Sequence, residues 1–175
     1  WLGGHVWANP MEDWRIRDGA AECLNAGPAR SVHSLTHQLT SNRAFEMSVT
    51  VEMVETGKRD VGAGFRIGLR SELDEYRSNC FVTRGLAAGW LDGDLVLGPK
   101  TAAIATDKAA SSLRLSLTGR PDGKSCKLTL TARDAAGTEL GSVTHTVPGE
   151  RVTGNVSLAH NLRDGGRKTA RKSKG

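Results

Sequence analysis

The sequence predicts an all-β fold, an antiparallel sandwich of two sheets, on three observations. Strand-like segments recur at short spacing, about ten to twelve of them, with turn residues between them. Almost no segment shows helical periodicity. The composition, 38% hydrophobic and 5% aromatic with 21 glycines, is typical of a turn-rich β protein. The 175 residues are enough for one domain with a single buried core.

The first half of the chain alternates strands with short turns. Asp18-Gly19 and Asn25-Ala26-Gly27-Pro28 are turn signals, and 57–60 forms another turn. The strongest strand prediction is 44–54, because Phe45 and every second residue after it are apolar while the residues between them are polar. The strands predicted in this half are 14–16, 21–24, 31–39, 44–54 and 62–69.

The second half continues as a meander. Asp92-Gly93 is a typical two-residue hairpin turn. A loop is predicted at 119–124, around Pro121-Asp122-Gly123, and 102–110 is the one place where a short helix is expected. The strands predicted in this half are 76–84, 86–91, 95–97, 113–118, 127–133, 141–147 and 155–159. This strand-and-turn pattern is typical of a sandwich.

The charge distribution divides the chain into a β-sandwich domain, 1–162, and a basic flexible loop or linker, 163–175. The last thirteen residues hold six basic residues and one acidic residue, which accounts for the whole net charge of +5. The remaining 162 residues hold 18 of each sign. A neutral body lacks the basic footprint of a nucleic-acid-binding domain, so no nucleic acid is predicted as a partner.

No apolar run approaches the roughly 18 residues that a membrane-spanning helix needs, so no membrane span is predicted. The chain begins at Trp1 with no basic-then-apolar leader, and we expect it to be a processed or excised piece. Three cysteines, far apart and without a CxxC pair, predict small core residues and at most one disulfide. His33 and His37 form HxxxH, but in a strand they lie about 13 Å apart, so the two do not form a metal site by themselves.

Several short motifs together resemble the N-terminal domain that precedes the metallophosphoesterase domain of some bacterial alkaline phosphatase D-like proteins. The motifs are "WANP", "DWRIRDGAAECLNAG", "SVHSLTHQL", "GAGFRIG", "YRSN", "GLAAGWLDG" and "VTGNVSLAHN", and they span residues 1 to about 161. The resemblance implies a concanavalin A-like, laminin G-like jelly roll. It also implies a bacterial protein exported to the periplasm or beyond, with a phosphoesterase domain following in the parent chain.

The resemblance implies a non-catalytic accessory or binding module, because none of the family's metal motifs matches these residues. A glycan or cell-surface polymer is the ligand class that the superfamily implies. The sequence predicts no catalytic residue and no cofactor. Calcium, which is common on this fold, is an alternative, with Asp92 and Asp94 or Asp13 and Asp18 as oxygen ligands, although turn chemistry also explains these aspartates.

The predicted ligand-binding residues form a polar face. Arg66, Arg77 and Asn79 fall at alternating positions of neighbouring predicted strands, and Trp14 or Trp90 is expected beside them. Aromatic rings pack on the C–H faces of sugars, while Arg and Asn donate hydrogen bonds to hydroxyls. A solvated sheet face held by cross-strand polar pairs explains the same pattern.

Two other functions remain open at the level of sequence. The first is a glycan hydrolase or lyase on the same sandwich, with Glu72, Asp74 or His33 in its site; Glu72 and Asp74 share a face, but Tyr76 takes the next position on it. The second is a structural domain that packs on the phosphoesterase and binds nothing itself.

Overall fold

The computed structural model describes residues 2–25, 27, 30–54, 62–71, 77, 80–104 and 112–162. These residues form thirteen strands, and their helical elements are two single 3₁₀ turns, Met11–Asp13 and Gly149–Arg151. Every pair of strands is antiparallel. The all-β class and the antiparallel sheets predicted from the sequence are therefore confirmed. The jelly-roll topology remains a prediction.

The strands form three sheets. A large sheet has the order β1-β4-β13-β6-β7-β8-β9, a small sheet the order β12-β11-β10-β5, and β2 and β3 form a separate ribbon. Their bounds are β1 Val6–Asn9, β2 Trp14–Arg17, β3 Ala20–Cys23, β4 Arg30–Leu39, β5 Phe45–Glu52, β6 Gly62–Ser71, β7 Phe81–Leu91, β8 Asp94–Leu97, β9 Lys100–Ala103, β10 Ser112–Asp122, β11 Ser125–Arg133, β12 Glu139–Pro148 and β13 Gly154–His160.

The core lies between the small sheet and the β6–β9 half of the large sheet. Because side chains alternate along a strand, every second residue of β10 and β11 points to this interface. Burying each leucine there stabilises the fold by about 2 kcal/mol. The fully buried aliphatic residues of the two sheets are Ile67, Leu95, Leu97, Leu115, Leu117, Leu128 and Leu130.

Two sequence-based predictions in the second half of the chain are wrong. The predicted loop 119–124 is strand except for the two-residue turn Gly123-Lys124. Pro121 is accepted inside β10, where it pairs with Cys126, because β5 accompanies β10 only as far as Gly119. Beyond that point β10 is an edge, where the missing N–H of proline breaks no ladder bond.

The short helix expected at 102–110 does not begin where it was predicted. Residues 102 and 103 belong to β9, which extends the meander by pairing with β8. Pairing with β8 gives this apolar stretch a partner that an isolated helical turn would lack. The rest of the predicted helix, from 105 onward, lies outside the described residues.

A bulge interrupts the alternation predicted for 31–39. Ser157 of β13 pairs with His33. Asn155, two residues earlier in β13, pairs with Gln38, which lies five residues further along β4. The extra residues of β4 disrupt the ladder, and the two sides of the bulge differ in burial: His33 is buried, whereas His37 is exposed.

Two glycines in left-handed backbone conformation lie at the same level of the β6–β7 ribbon. Gly68 and Gly85 both have a φ of 72° and lie between the same two cross-strand pairs. Side chains rarely adopt this conformation, and a Cβ at Gly68 would meet the carbonyl oxygen of Arg151. Phe81, at the start of β7, stacks on His33 of β4.

Candidate functional site

The candidate site lies on the outer face of the large sheet, which points away from the small sheet. Phe65 and Ile67 of β6 point into the core, so Arg66 between them points outward. Its cross-strand neighbours on β13, β4 and β1 share this face. We call these four residues the polar row: Trp7, His33, Ser157 and Arg66.

Burial changes along the polar row. Trp7 stands at one end with 37% of its surface exposed, and its Nε1 donates a hydrogen bond of 3.2 Å to Asn9 Oδ1. His33 and Ser157 follow, 2% and 3% exposed. Arg66, half-buried at the other end, donates from Nη2 to the carbonyl oxygen of Leu162 at 2.8 Å. The row thus combines an accessible aromatic ring, buried polar groups and a cation within about 14 Å.

His33 is held in its neutral form at the centre of the row. Its ring stacks on Phe81, with centroids 4.9 Å apart and planes 15° apart. Its Nε2 lies 2.8 Å from Ser31 Oγ. Burial lowers the pKa of His33 to about 4. At neutral pH the imidazole therefore offers one donor and one acceptor and no charge.

Two buried polar atoms of β13, one on each side of the bulge, have no hydrogen-bond partner among the described residues. They are Ser157 Oγ and Asn155 Oδ1. A buried polar group left without a partner costs about 1–3 kcal/mol, and native structures avoid such groups unless a water or a ligand satisfies them. A hydroxyl, which both donates and accepts, suits both atoms.

The neighbouring part of the face is closed by the segment that follows β13. Gly64 of β6 pairs with Gly89 of β7, and Leu162 packs over them, since a Cβ at Gly89 would lie 2.6 Å from Leu162 Cδ1. Asn161 anchors this segment by donating its N–H to the carbonyl oxygen of Gly62 at 2.6 Å. The closed region leaves the Trp7 end of the polar row as its accessible end.

The structure brings one of the predicted arginines into the row and leaves the other apart from it. Arg66 lies on the outer face, as described above. Arg77 is exposed and belongs to no strand; its carbonyl oxygen accepts the N–H of Cys80 at 2.9 Å in a turn. Asn79, the third predicted polar residue, lies outside the described residues, as do Glu72 and Asp74.

Neither tryptophan proposed for this site lies in the row. Trp90 pairs with Ala63 and Leu95 and packs half-buried against the core, on the opposite face of the large sheet from Arg66. Trp14 is half-buried in the separate β2–β3 ribbon. The indole N–H groups of Trp14 and Trp90 are buried without a partner among the described residues. The tryptophan beside His33 is instead Trp7.

Among the described residues, no three His, Cys, Asp or Glu side chains gather as a metal site would require. Of the aspartates considered for calcium, Asp13 accepts a hydrogen bond of 2.8 Å from Arg30 Nε in an ion pair. Asp18 and Asp92 adopt positive φ in tight turns.

Cys23 and Cys80 are half-buried and Cys126 is buried, all as free thiols. No helix in the described ranges is long and apolar enough to cross a membrane.

Sequence reasoning missed two of the four residues of the polar row, Trp7 and Ser157, and the neighbouring Ser31. Trp7 falls in β1, which is four residues long and carries too little alternation to be recognised. Ser31 and Ser157 are small polar residues of ordinary strands, and their burial comes from the strands and loops packed around them. A signal was present in "SVHS", where Ser31 and His33 occupy alternate positions and so share a face.

Comparison with known proteins adds no assignment: no protein-family model matches the chain, and no curated protein matches it significantly.

Proposed function

We propose that this domain is a non-catalytic glycan-binding module whose ligand occupies the polar row. The observation that carries the proposal is the buried, unsatisfied Ser157 Oγ, which lies in the polar row on the cross-strand partner of neutral His33. Sugar hydroxyls supply the donors and acceptors that these groups need. Trp7, exposed at the open end, offers a ring face to the C–H surface of a sugar.

The resemblance noted in the sequence supports the wider setting. We propose that the module belongs to an exported bacterial protein of the alkaline phosphatase D-like type, in which a phosphoesterase domain follows it. In this setting the module would hold the enzyme on a glycan or cell-surface polymer, and the jelly-roll topology would be the form of its sandwich. Its role would be binding, with the chemistry left to the following domain.

The hydrolase or lyase alternative is favoured by one contact, the 2.8 Å approach of Ser31 Oγ to His33 Nε2. A neutral imidazole is able to accept a proton from a substrate or a nucleophile. However, a pKa lowered to about 4 makes His33 a weak base. This alternative predicts product release, which binding alone does not.

The experiment is titration of the chain with a panel of neutral polysaccharides, with reducing ends assayed in parallel. We expect saturable binding without product. Trp7→Ala should weaken it by about tenfold, the equivalent of one 1.4 kcal/mol contact. Trp14→Ala is the matched control and should bind like the wild type. Equal loss in both tryptophan variants, or no binding to any polymer, would contradict the proposal, and released product would favour the enzyme.

A further inference from the structure

The outer face of the small sheet is a second polar surface, separate from the polar row. Its residues alternate with the buried leucines of β10 and β11, so they point to solvent. Two cross-strand rows at its centre carry mostly hydroxyls. We call them the hydroxyl rows: Thr118, Thr129 and Thr144, and beside them Ser48, Ser116, Thr131 and Ser142.

The hydroxyl rows form a regular surface. Thr129 and Thr144 place their Oγ1 atoms 3.2 Å apart, and Thr131 Oγ1 donates to Ser142 Oγ at 3.5 Å. Neighbouring strands lie about 4.8 Å apart, so the rows offer closely spaced groups that both donate and accept hydrogen bonds. The outward positions of these four strands carry no aromatic side chain.

Cations flank the hydroxyl rows, on both sides along the strand direction. Arg120 and Lys127 are direct cross-strand partners on the same outer face, and both are exposed. Like charges placed directly opposite each other destabilise a sheet. Neither side chain forms an ion pair with a described residue. Arg114 lies on the other side of the hydroxyl rows, about 20 Å from Arg120 along β10. Its Nη2 donates a hydrogen bond of 3.3 Å to Ser48 Oγ.

Loops from three parts of the chain add to this charge. The N–H of Gly149 donates to the carbonyl oxygen of Lys124 at 2.8 Å, and a Cβ on Gly149 would lie 2.8 Å from Ser41 Cβ. These contacts hold together the loops that carry three further exposed cations, Arg43, Lys124 and Arg151. None of the three forms an ion pair with another described residue. The acidic residues at this end of the sheet are Glu46, Asp122 and Glu150, so positive charge is in excess there. Glu52 and Glu139 lie at the opposite end, with Arg114 and Arg133.

We propose that this face binds a linear acidic polysaccharide. Carboxylate or sulfate groups of the polymer pair with Arg120 and Lys127, and its free hydroxyls bond to the hydroxyl rows. Charge complementarity selects an anion, and the hydroxyls select a sugar polymer. Nucleic acid is disfavoured because this face has no ring on which a base could stack. An anionic membrane is disfavoured because this face has no apolar anchor. The proposal uses other residues than the polar row and is independent of it.

The test is titration of the full chain with polygalacturonate, with dextran as the neutral polymer. Arg120→Gln combined with Lys127→Gln should weaken polygalacturonate binding by about tenfold or more. The charge-matched control combines Arg17→Gln with Lys100→Gln, two exposed cations on other sheets, and should bind like the wild type. Every variant carries the same basic residues 163–175, so those residues do not produce the difference. Thermal midpoints check that the variants are folded.

A second variant separates the contribution of the hydroxyls from that of charge. Thr131→Val removes a hydroxyl while keeping shape and charge, and it should weaken polygalacturonate binding by about threefold. Unchanged affinity in the Arg120/Lys127 variant, or no binding of polygalacturonate by the wild type, would overturn the proposal. It also fails if a single-stranded oligonucleotide or phosphatidylglycerol vesicles bind as tightly and lose affinity in the same variant. Dextran affinity reports on the polar row alone.

Discussion

The two sheets of this protein both turn a polar face away from the core, but the two faces differ in their exposure to solvent. On the small sheet the polar side chains stand in water, where they cost the fold little. On the large sheet Ser31, His33 and Ser157 are less than 10% exposed, and Asn155, on the other side of the bulge, is also buried. Burying polar groups in this way costs free energy unless each one is satisfied. A solvated face needs no explanation beyond solubility, whereas each group of a buried polar face needs a partner from the protein, a water or a ligand.

The largest effect expected from this difference is a pH dependence of stability centred on His33. Its pKa is lowered from 6.5 to about 4 in the folded chain by burial. The unfolded chain therefore binds the proton first as pH falls. The contribution of the neutral imidazole to the free energy of unfolding is about 3 kcal/mol. It is fully present above pH 6.5 and is lost as the pH falls from 6.5 to about 4.

Urea unfolding at several pH values measures this effect. Burial and the charge of Arg30 also lower the pKa of His160, so the informative quantity is the difference between wild type and His33→Gln. The wild type should lose stability more steeply than His33→Gln between pH 6.5 and 4. His37→Gln, which removes an exposed imidazole from the same strand, is the control. Parallel curves for wild type and His33→Gln would show that His33 is not buried as described.

The next effect concerns the closed part of the outer face. Gly64→Ala places a Cβ against the carbonyl oxygen of Ala88 and 2.5 Å from Gly89 Cα, so backbone must shift. Overpacking of this kind should lower the free energy of unfolding by about 2 kcal/mol. Gly4→Ala, with nothing within 4 Å of its Cβ, is the matched control and should change it little. Chemical denaturation measures both, and equal stabilities would mean that this face is open.

A smaller effect compares one hydroxyl from each face. Ser157→Ala removes a buried, unsatisfied Oγ, so the ligand-free chain should be unchanged or stabilised by up to about 1 kcal/mol. The same variant should bind the ligand of the polar row more weakly. Thr131→Ala on the solvated face should leave that binding unchanged. Marked destabilisation by Ser157→Ala would show that its hydroxyl has a structural partner.

The smallest effect belongs to the solvated face itself. The contact between Thr129 and Thr144, 3.2 Å between their Oγ1 atoms, is exposed to water. A double-mutant cycle with alanine at both positions should give a coupling of about 0.5 kcal/mol or less. A coupling above about 1 kcal/mol would mean that this face is more rigid than a solvated surface.

Much of the fold could be predicted from the sequence, because alternation is a local property. The run from Phe45 to Glu52 forms a strand as predicted, and the Asp92-Gly93 turn joins β7 to β8. The predictions that failed concern segments whose state depends on a neighbour. Pro121 remains in a strand because β5 has already ended beside it. Residues 102–103 form a strand because β8 lies alongside them.

Little of the candidate site could be predicted in the same way. Alternation indicated that Arg66 points away from Phe65, and the structure places it so. It gave no information on which strands stand beside β6. The neighbour turned out to be β13, some ninety residues later in the chain, which brings Ser157 against Arg66. Trp90, expected near Arg66, lies on the core face because it is an odd number of residues from the partner of Arg66, Ala87.

The sequence by itself determined the class of this protein, since a period of two along the chain predicts strands with one apolar and one polar face. Only the tertiary structure decided which polar residues meet and which are buried. The polar row joins residues 7, 33, 157 and 66, and no local pattern relates positions so far apart. Strand order brings them together, and their burial depends on packing between distant segments.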